Sequence, residues 1–162
     1  MEAEVEVAFA SKILSAGEGA TLSIAGMTVT IKVTGEETNG ACTIFEAVIP
    51  PHFVGHEPFG HGLATATYYV TGGVLAFTVG QETVMVRTGG VVMVPPGEIH
   101  KFWNPTATPA TCLAYLCPAG FDQYIMALAA LSVGKSFWPP VDNGTMVALY
   151  AEHNLVIPTK SS

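Results

Sequence analysis

The sequence predicts an all-β fold, a sandwich or barrel with short C-terminal helices packed across its outer face or against a partner subunit, and three observations carry that prediction. From Thr21 onward, short runs alternate apolar and polar residues and are rich in β-branched and aromatic side chains. Turn residues cut these runs at regular spacing, drawn from seventeen glycines and eleven prolines. Near Phe121 the alternation gives way to helical spacing.

Taken in order, TLSIAG and MTVTIKV come first, and each can bury one face because successive strand side chains point to opposite sides. Gly35 with Thr38-Asn39-Gly40 turns the chain into ACTIFEAVI, which Pro50-Pro51 ends. ATYYV, GVLAFTVG, ETVMVRT and GVVMV follow, separated by Gly72-Gly73, Gly80-Gln81 and Gly89-Gly90. Pro95-Pro96-Gly97 introduces HKFW, and ATCLAYLC completes the β region. FDQYIMALAAL is then built of helix formers. Pro139-Pro140 breaks the chain, and Asp142 or Asn143 can cap a second short helix through GTMVALYAEHN. The expected organisation is a single domain over 1–162, with the β region at about 20–118 and a helical extension at about 119–155. EVEVAFA near the N-terminus alternates like an edge strand that could serve subunit association.

Composition narrows the function classes. Of 162 residues, 49% are hydrophobic and 12% charged, ample for a core. The formal net charge is −7 with six scattered Lys and Arg, so nucleic acid and anionic membrane surfaces are poor partners. Cys42, Cys112 and Cys117 form no C-x-x-C and no disulfide framework, and the plain reading is buried thiols in a reducing compartment. The first residues, MEAEVEVAFASKILSAG, lack the apolar stretch of a signal peptide, and no window approaches the ~18 apolar residues of a membrane span. A soluble cytoplasmic protein is expected. Neither a phosphate-binding G-x-x-x-x-G-K nor a G-x-S-x-G nucleophile motif is present.

The most specific signal lies in GGVVMVPPGEIHKFWN. Gly89, Pro95, Gly97, His100 and Asn104 are spaced G-x5-P-x-G-x2-H-x3-N. With VTGEETNGACTIFEAVIPP and YYVTGGVLAFTVGQETVMVRTGG before it and NPTATPATCLAYLCPAGFDQYIMAL after it, the chain resembles the small single-domain cupins, in particular those described as quercetin 2,3-dioxygenase-like. The resemblance implies a double-stranded β-helix (jelly roll) barrel with a pocket lined by strand side chains, and it makes a homodimer a reasonable expectation. In that family a first motif supplies H-x-H and a Glu, and the second motif one more His, to hold a divalent ion. Aligned here, the second His falls on His61, the first on Phe59 and the Glu on Thr65, so only His61 and His100 remain.

Two imidazoles make an incomplete site, since catalytic metals usually have three protein ligands and an open position. HFVGHEPFGHG holds His52, His56 and Glu57 upstream, and a folded-back loop could add His56 or Glu57 to His61 and His100. No metal is expected; if one binds, Fe, Ni, Mn or Zn would sit on His61, His100 and His56. Strand phase adds that if His61 points inward, so do Phe59, Leu63, Thr65, Thr67 and Tyr69, and that Phe102 shares the face of His100. Tyr68 and Trp103 take the opposite phase, Trp138 packs a C-terminal segment over the barrel, His153 is exposed, and Glu46 is best placed on the surface.

The resulting expectation is a pocket for a small apolar or phenolic substrate. His61, His100, Glu57 and Tyr69 would act as acid/base or orienting groups, with Phe59, Leu63, Thr65, Thr67, Phe102 and His56 lining it. The leading reading is a cupin enzyme of polyketide-like secondary metabolism that performs a cyclisation, isomerisation or dehydration without a full metal site. The alternatives are a metal-dependent dioxygenase-like cupin with a rearranged ligand set, and a non-catalytic small-molecule binder.

Overall fold

A computed structural model describes residues 10–158. Eleven strands and two helices follow in chain order: β1 Ala20–Ile24, β2 Met27–Val33, β3 Thr43–Ile49, β4 Gly60–His61, β5 Thr65–Gly72, β6 Val74–Val79, β7 Glu82–Arg87, β8 Val91–Val94, β9 His100–Trp103, β10 Ala110–Cys117, α1 Phe121–Leu131, α2 Asn143–Glu152 and β11 Leu155–Val156. EVEVAFA lies outside the described residues except for Ala10.

Alternation decides which face each strand buries. On β3, Thr43, Phe45, Ala47 and Ile49 are buried, and on β10 their counterparts are Ala110, Cys112, Ala114 and Leu116. These strands pair antiparallel at the centre of a six-stranded sheet ordered β1-β2-β3-β10-β5-β8. A three-stranded sheet, β7-β6-β9, supplies Leu75 and Phe77 to the same core. Burying a side chain of that size contributes roughly 1.5–3 kcal/mol, so the two inner faces hold the jelly roll together. Tyr68 on β5 meets Phe77 on β6 with ring centroids 5.5 Å apart, one point where the sheets touch.

The expected unbroken phase from Phe59 to Tyr69 does not occur. The chain bends at Gly62–Ala64 between β4 and β5. The cause is β11, a strand absent from the sequence reading, which pairs Leu155 with His61 and Val156 with Gly60. Gly62 donates its N–H to the Asn154 carbonyl at 2.9 Å, and a Cβ there would meet that oxygen at 2.7 Å, so only glycine allows the approach. The bend shifts the alternation by one residue. Ala66, Tyr68 and Val70 therefore point into the core, while Thr65, Thr67 and Tyr69 face the other way.

The helices close one end of the barrel. In α1 the buried residues Tyr124, Ile125 and Leu128 lie on one stripe. Its first turn carries Asp122, buried, which accepts hydrogen bonds from Gly35 N–H and Thr43 Oγ1, both at 3.0 Å. That carboxylate also suits the positive end of the helix dipole. Asp142 is the N-cap of α2, its side chain accepting from Thr145 N–H at 2.9 Å. No helix among the described residues is long and apolar enough to cross a membrane.

Candidate functional site

The Pro95-Pro96-Gly97 turn aims His100. Gly97 takes a left-handed φ of 83° and donates its N–H to the His61 carbonyl at 2.8 Å. His100 and Phe59 then exchange backbone hydrogen bonds at 3.0 and 3.2 Å. Asn104 ends the segment: its Nδ2 donates to the carbonyls of Ile49, Pro50 and Thr108, and its Oδ1 accepts from Thr106 N–H and Oγ1. This scaffold brings the His61 and His100 rings to 5.5 Å between centroids, both buried.

Each imidazole has a distinct set of partners. A carbonyl can only accept, so Nδ1–H of His100 donates to the Glu98 carbonyl at 3.2 Å and Nε2 keeps its lone pair. That lone pair faces the Tyr68 hydroxyl at 3.0 Å. His56 is likewise fixed: Nδ1–H donates to the Glu57 carbonyl at 2.8 Å and Nε2 accepts from Phe102 N–H at 3.4 Å. Nε2 of His61 is buried with no partner. Burial pushes His56 and His61 down to about 3 and lowers His100 as well, so all three are neutral near pH 7. Burial also raises Tyr68, which keeps its proton.

These groups do not fit the divalent ion that cupins hold. The one free lone pair on His100 is taken by Tyr68, and both nitrogens of His56 are committed to backbone. Phe59 occupies the interior, Thr65 faces outward and Glu57 is exposed. Among the described residues, no group of three or more His, Cys, Asp or Glu converges.

Two spaces adjoin the imidazoles. An almost wholly apolar cavity of about 60 Å³ lies between the barrel interior and α1, lined by Met27, Phe45, Phe59, Tyr68, Phe102 and Trp138 among others. It holds a few waters at most, because side chains from α1 fill the barrel mouth. A more polar cleft of about 120 Å³ lies behind Phe121 and is lined by His61, Ala119, His153 and Asn154. Nε2 of His153 is buried there without a partner, as is that of His61. Nearby, the buried Tyr124 and Tyr150 hydroxyls lie beside each other but out of hydrogen-bonding geometry. Tyr150 is pushed up to about 12, chiefly by burial and then by the Glu57 charge.

The structure thus brings together His56, Phe59, His61, His100 and Phe102. It does not bring Tyr69, 44% exposed, or Glu57 into the pocket. Leu63 is 69% exposed and borders only the polar cleft, and Thr65 and Thr67 turn outward with the shifted phase. Sequence reasoning missed Tyr68 as a pocket residue, giving it the phase opposite Tyr69, outward or into a second sheet, and left the half-buried His153 exposed. A signal for Tyr68 existed: Ala64, Ala66, Tyr68 and Val70 form a more apolar set than Thr65, Thr67 and Tyr69. Of the thiols only Cys112 is fully buried; Cys42 and Cys117 are half-buried, and all three are free.

Two facing antiparallel sheets around a buried histidine-bearing strand give the double-stranded β-helix that cupins share. Residues 45–116 match the family model described as Cupin domain, and the architecture is that of a jelly-roll cupin. Among solved structures it is similar to a predicted oxalate decarboxylase from Thermotoga maritima (19% identity, 66% of this chain and 99% of that one, TM-score 0.61). It is also similar to KdgF from Halomonas (12% identity, 69% and 99%, TM-score 0.61). A third is Pac13, a nucleoside dehydratase, whose Streptomyces variant was solved with uridine (19% identity, 71% and 88%, TM-score 0.55). At these identities the likeness is one of fold. An uncharacterized protein of Streptomyces coelicolor is 54% identical over 35 residues, which are 22% of this chain, and the chain spans about 33% of that relative's length.

Proposed function

We propose that this cupin is a small-molecule enzyme that moves a proton within an apolar pocket, catalysing an isomerisation, dehydration or cyclisation of a phenolic or enone substrate without a bound metal. The observation that carries this is the Tyr68–His100 pair. Tyr68 lines the cavity, and its hydroxyl is hydrogen-bonded to a neutral imidazole whose other nitrogen is anchored on Glu98. A C–H or O–H proton of the substrate passes to the Tyr68 oxygen as Tyr68 passes its own to His100 Nε2. The electron pair stays on the substrate as an enolate or phenolate. Reversal at another carbon gives an isomer; delivery to a departing hydroxyl gives water and an unsaturated product. Positioned proton transfer of this kind contributes roughly 10²–10⁴ in rate, and fixing the reacting conformer adds to it.

That Pac13 is a nucleoside dehydratase supports the capacity of such a barrel for loss of water, by analogy of fold. The cavity of about 60 Å³ is below the size of such a substrate, so binding displaces a side chain that now fills it. Trp138 is the best candidate, because its indole N–H is buried without an acceptor. A binding-only reading has its own support in the His61–His153 cleft, which offers two unpartnered nitrogens to a polar ligand with no donor–acceptor relay.

The test is exchange in D2O with a chelator present, over a panel of phenols, enones and β-hydroxy ketones. Wild-type protein should introduce deuterium into, or eliminate water from, at least one class, and Tyr68→Phe should abolish it. Saturable binding without exchange in any class would favour the binder.

A further inference from the structure

On the outer face of the six-stranded sheet, away from the cavity, the register of β3 and β10 pairs two cysteines. The ladder runs from Ala110↔Ile49 to Leu116↔Thr43, and its next step sets Cys117 opposite Cys42. The chains stay together beyond that step, since Ala119 N–H donates to the Gly40 carbonyl at 3.1 Å. Cys42 is itself held, its N–H donating to Thr38 Oγ1 at 3.0 Å and its carbonyl accepting from that hydroxyl at 2.7 Å. Directly opposed residues of an antiparallel pair have Cα atoms about 4.5–5.5 Å apart, inside the roughly 4.4–6.8 Å window of a disulfide. Burial alternates on both strands, with Thr43 and Leu116 inward, so Cys42 and Cys117 share the outward side. Tyr115, also outward, lies against both thiols, and this contact is what pushes its hydroxyl up to about 12.

We infer that Cys42 and Cys117 form a reversible dithiol, closed by peroxides into a disulfide across the open end of β3 and β10. One sulfur attacks the peroxide, the O–O bond breaks, and a sulfenic acid and water result. The second thiol displaces hydroxide from that sulfur, forming the S–S bond and a second water. Two electrons pass from the sulfurs to the peroxide, and a dithiol reductant reverses the change by exchange. The half-exposed setting of both thiols admits the oxidant, whereas Cys112, 1% exposed, is closed to it. Cys117 directly precedes the Pro118–Phe121 wall of the polar cleft, so the link anchors that wall to the loop holding Cys42. The inference is independent of the proposed reaction.

The experiment treats full-length wild-type protein with hydrogen peroxide, alkylates remaining thiols and maps peptides without reduction. A 42–117 peptide, a mass loss of about 2 Da and recovery by dithiothreitol are expected, with Cys112 alkylated only after unfolding. Cys112→Ser should still close the link, and Cys42→Ser should not. Separate adducts or sulfinic acids on Cys42 and Cys117 with no linked peptide, or a link involving Cys112, would overturn the inference; because the primary measurement is on wild type, it does not depend on a variant folding.

Discussion

Tyr68 and His100 lie 32 positions apart on different sheets, yet the tyrosine hydroxyl meets Nε2 of the imidazole at 3.0 Å where neither residue is more than 3% exposed. The bond serves two ends: it staples β5 to β9, and it fixes the hydroxyl of Tyr68, which lines the apolar cavity. Tyr68→Phe keeps the ring against Phe77 and Phe102 and removes only the donor. The orphaned His100 Nε2 should cost about 1–3 kcal/mol, seen as a lower urea midpoint with an unchanged slope. Turnover, once a substrate is found, should fall at least about 100-fold. Lost stability with intact turnover would make the pair scaffold only.

Acid should weaken the fold well before its carboxylates titrate. His56 and His61 are held at about 3 by burial, whereas in the unfolded chain each returns to the ordinary value of 6.5. Between those values the unfolded state binds more protons, so stability is full above about pH 6.5 and falls as pH drops toward 3. From pH 7 to pH 5 each histidine should remove about 2 kcal/mol, roughly 4 kcal/mol together. Urea melts at the two pH values check this; equal midpoints would mean that these imidazoles are not buried as described.

Much of this arrangement was legible in the sequence, and the failures have one physical source. The strands, the capping Asp142 and the inward His100 and Phe102 follow from local periodicity and turn chemistry, which the chain carries on its surface. The phase of Tyr68, Tyr69, Thr65 and Thr67 does not, because it is set by a contact some 90 residues distant. Gly62 bends to meet the carbonyl of Asn154, and no local rule reports that β11 returns to β4. The partners of His56 were hidden for a similar reason: its nitrogens are occupied by the Glu57 carbonyl and the Phe102 amide, which loop composition does not reveal.

Asn104, the last residue of the motif around His100, acts through the backbone. It is 1% exposed and satisfies three carbonyls and two donors of the turn region that orders the end of β9. Asn104→Ala leaves several of these groups buried and unpaired, at a cost of about 2–4 kcal/mol. Asn104→Asp should be about as damaging, because a carboxylate offers no donor to the Ile49, Pro50 and Thr108 carbonyls. Thermal or urea unfolding checks both; a wild-type midpoint for either would show that the network is dispensable.

Phe59, His61 and His100 form a nearly equilateral triangle, with ring centroids 5.4, 5.5 and 5.5 Å apart. An imidazole in place of the phenyl ring therefore puts three nitrogen donors around one point, the ligand number of many catalytic metal sites. Phe59→His alone leaves His100 Nε2 tied to Tyr68. Adding Tyr68→Phe frees that lone pair. Calorimetric titration with Ni²⁺ or Zn²⁺ should show stoichiometric binding by the F59H/Y68F protein, at least about tenfold tighter than by F59H, since releasing one hydrogen bond to the ligand is worth ~1.4 kcal/mol. Equal affinities for the single and double variants would mean that the Tyr68 hydroxyl does not compete for His100. No binding by either would mean that the three rings, though equidistant, cannot turn their nitrogens to a common centre.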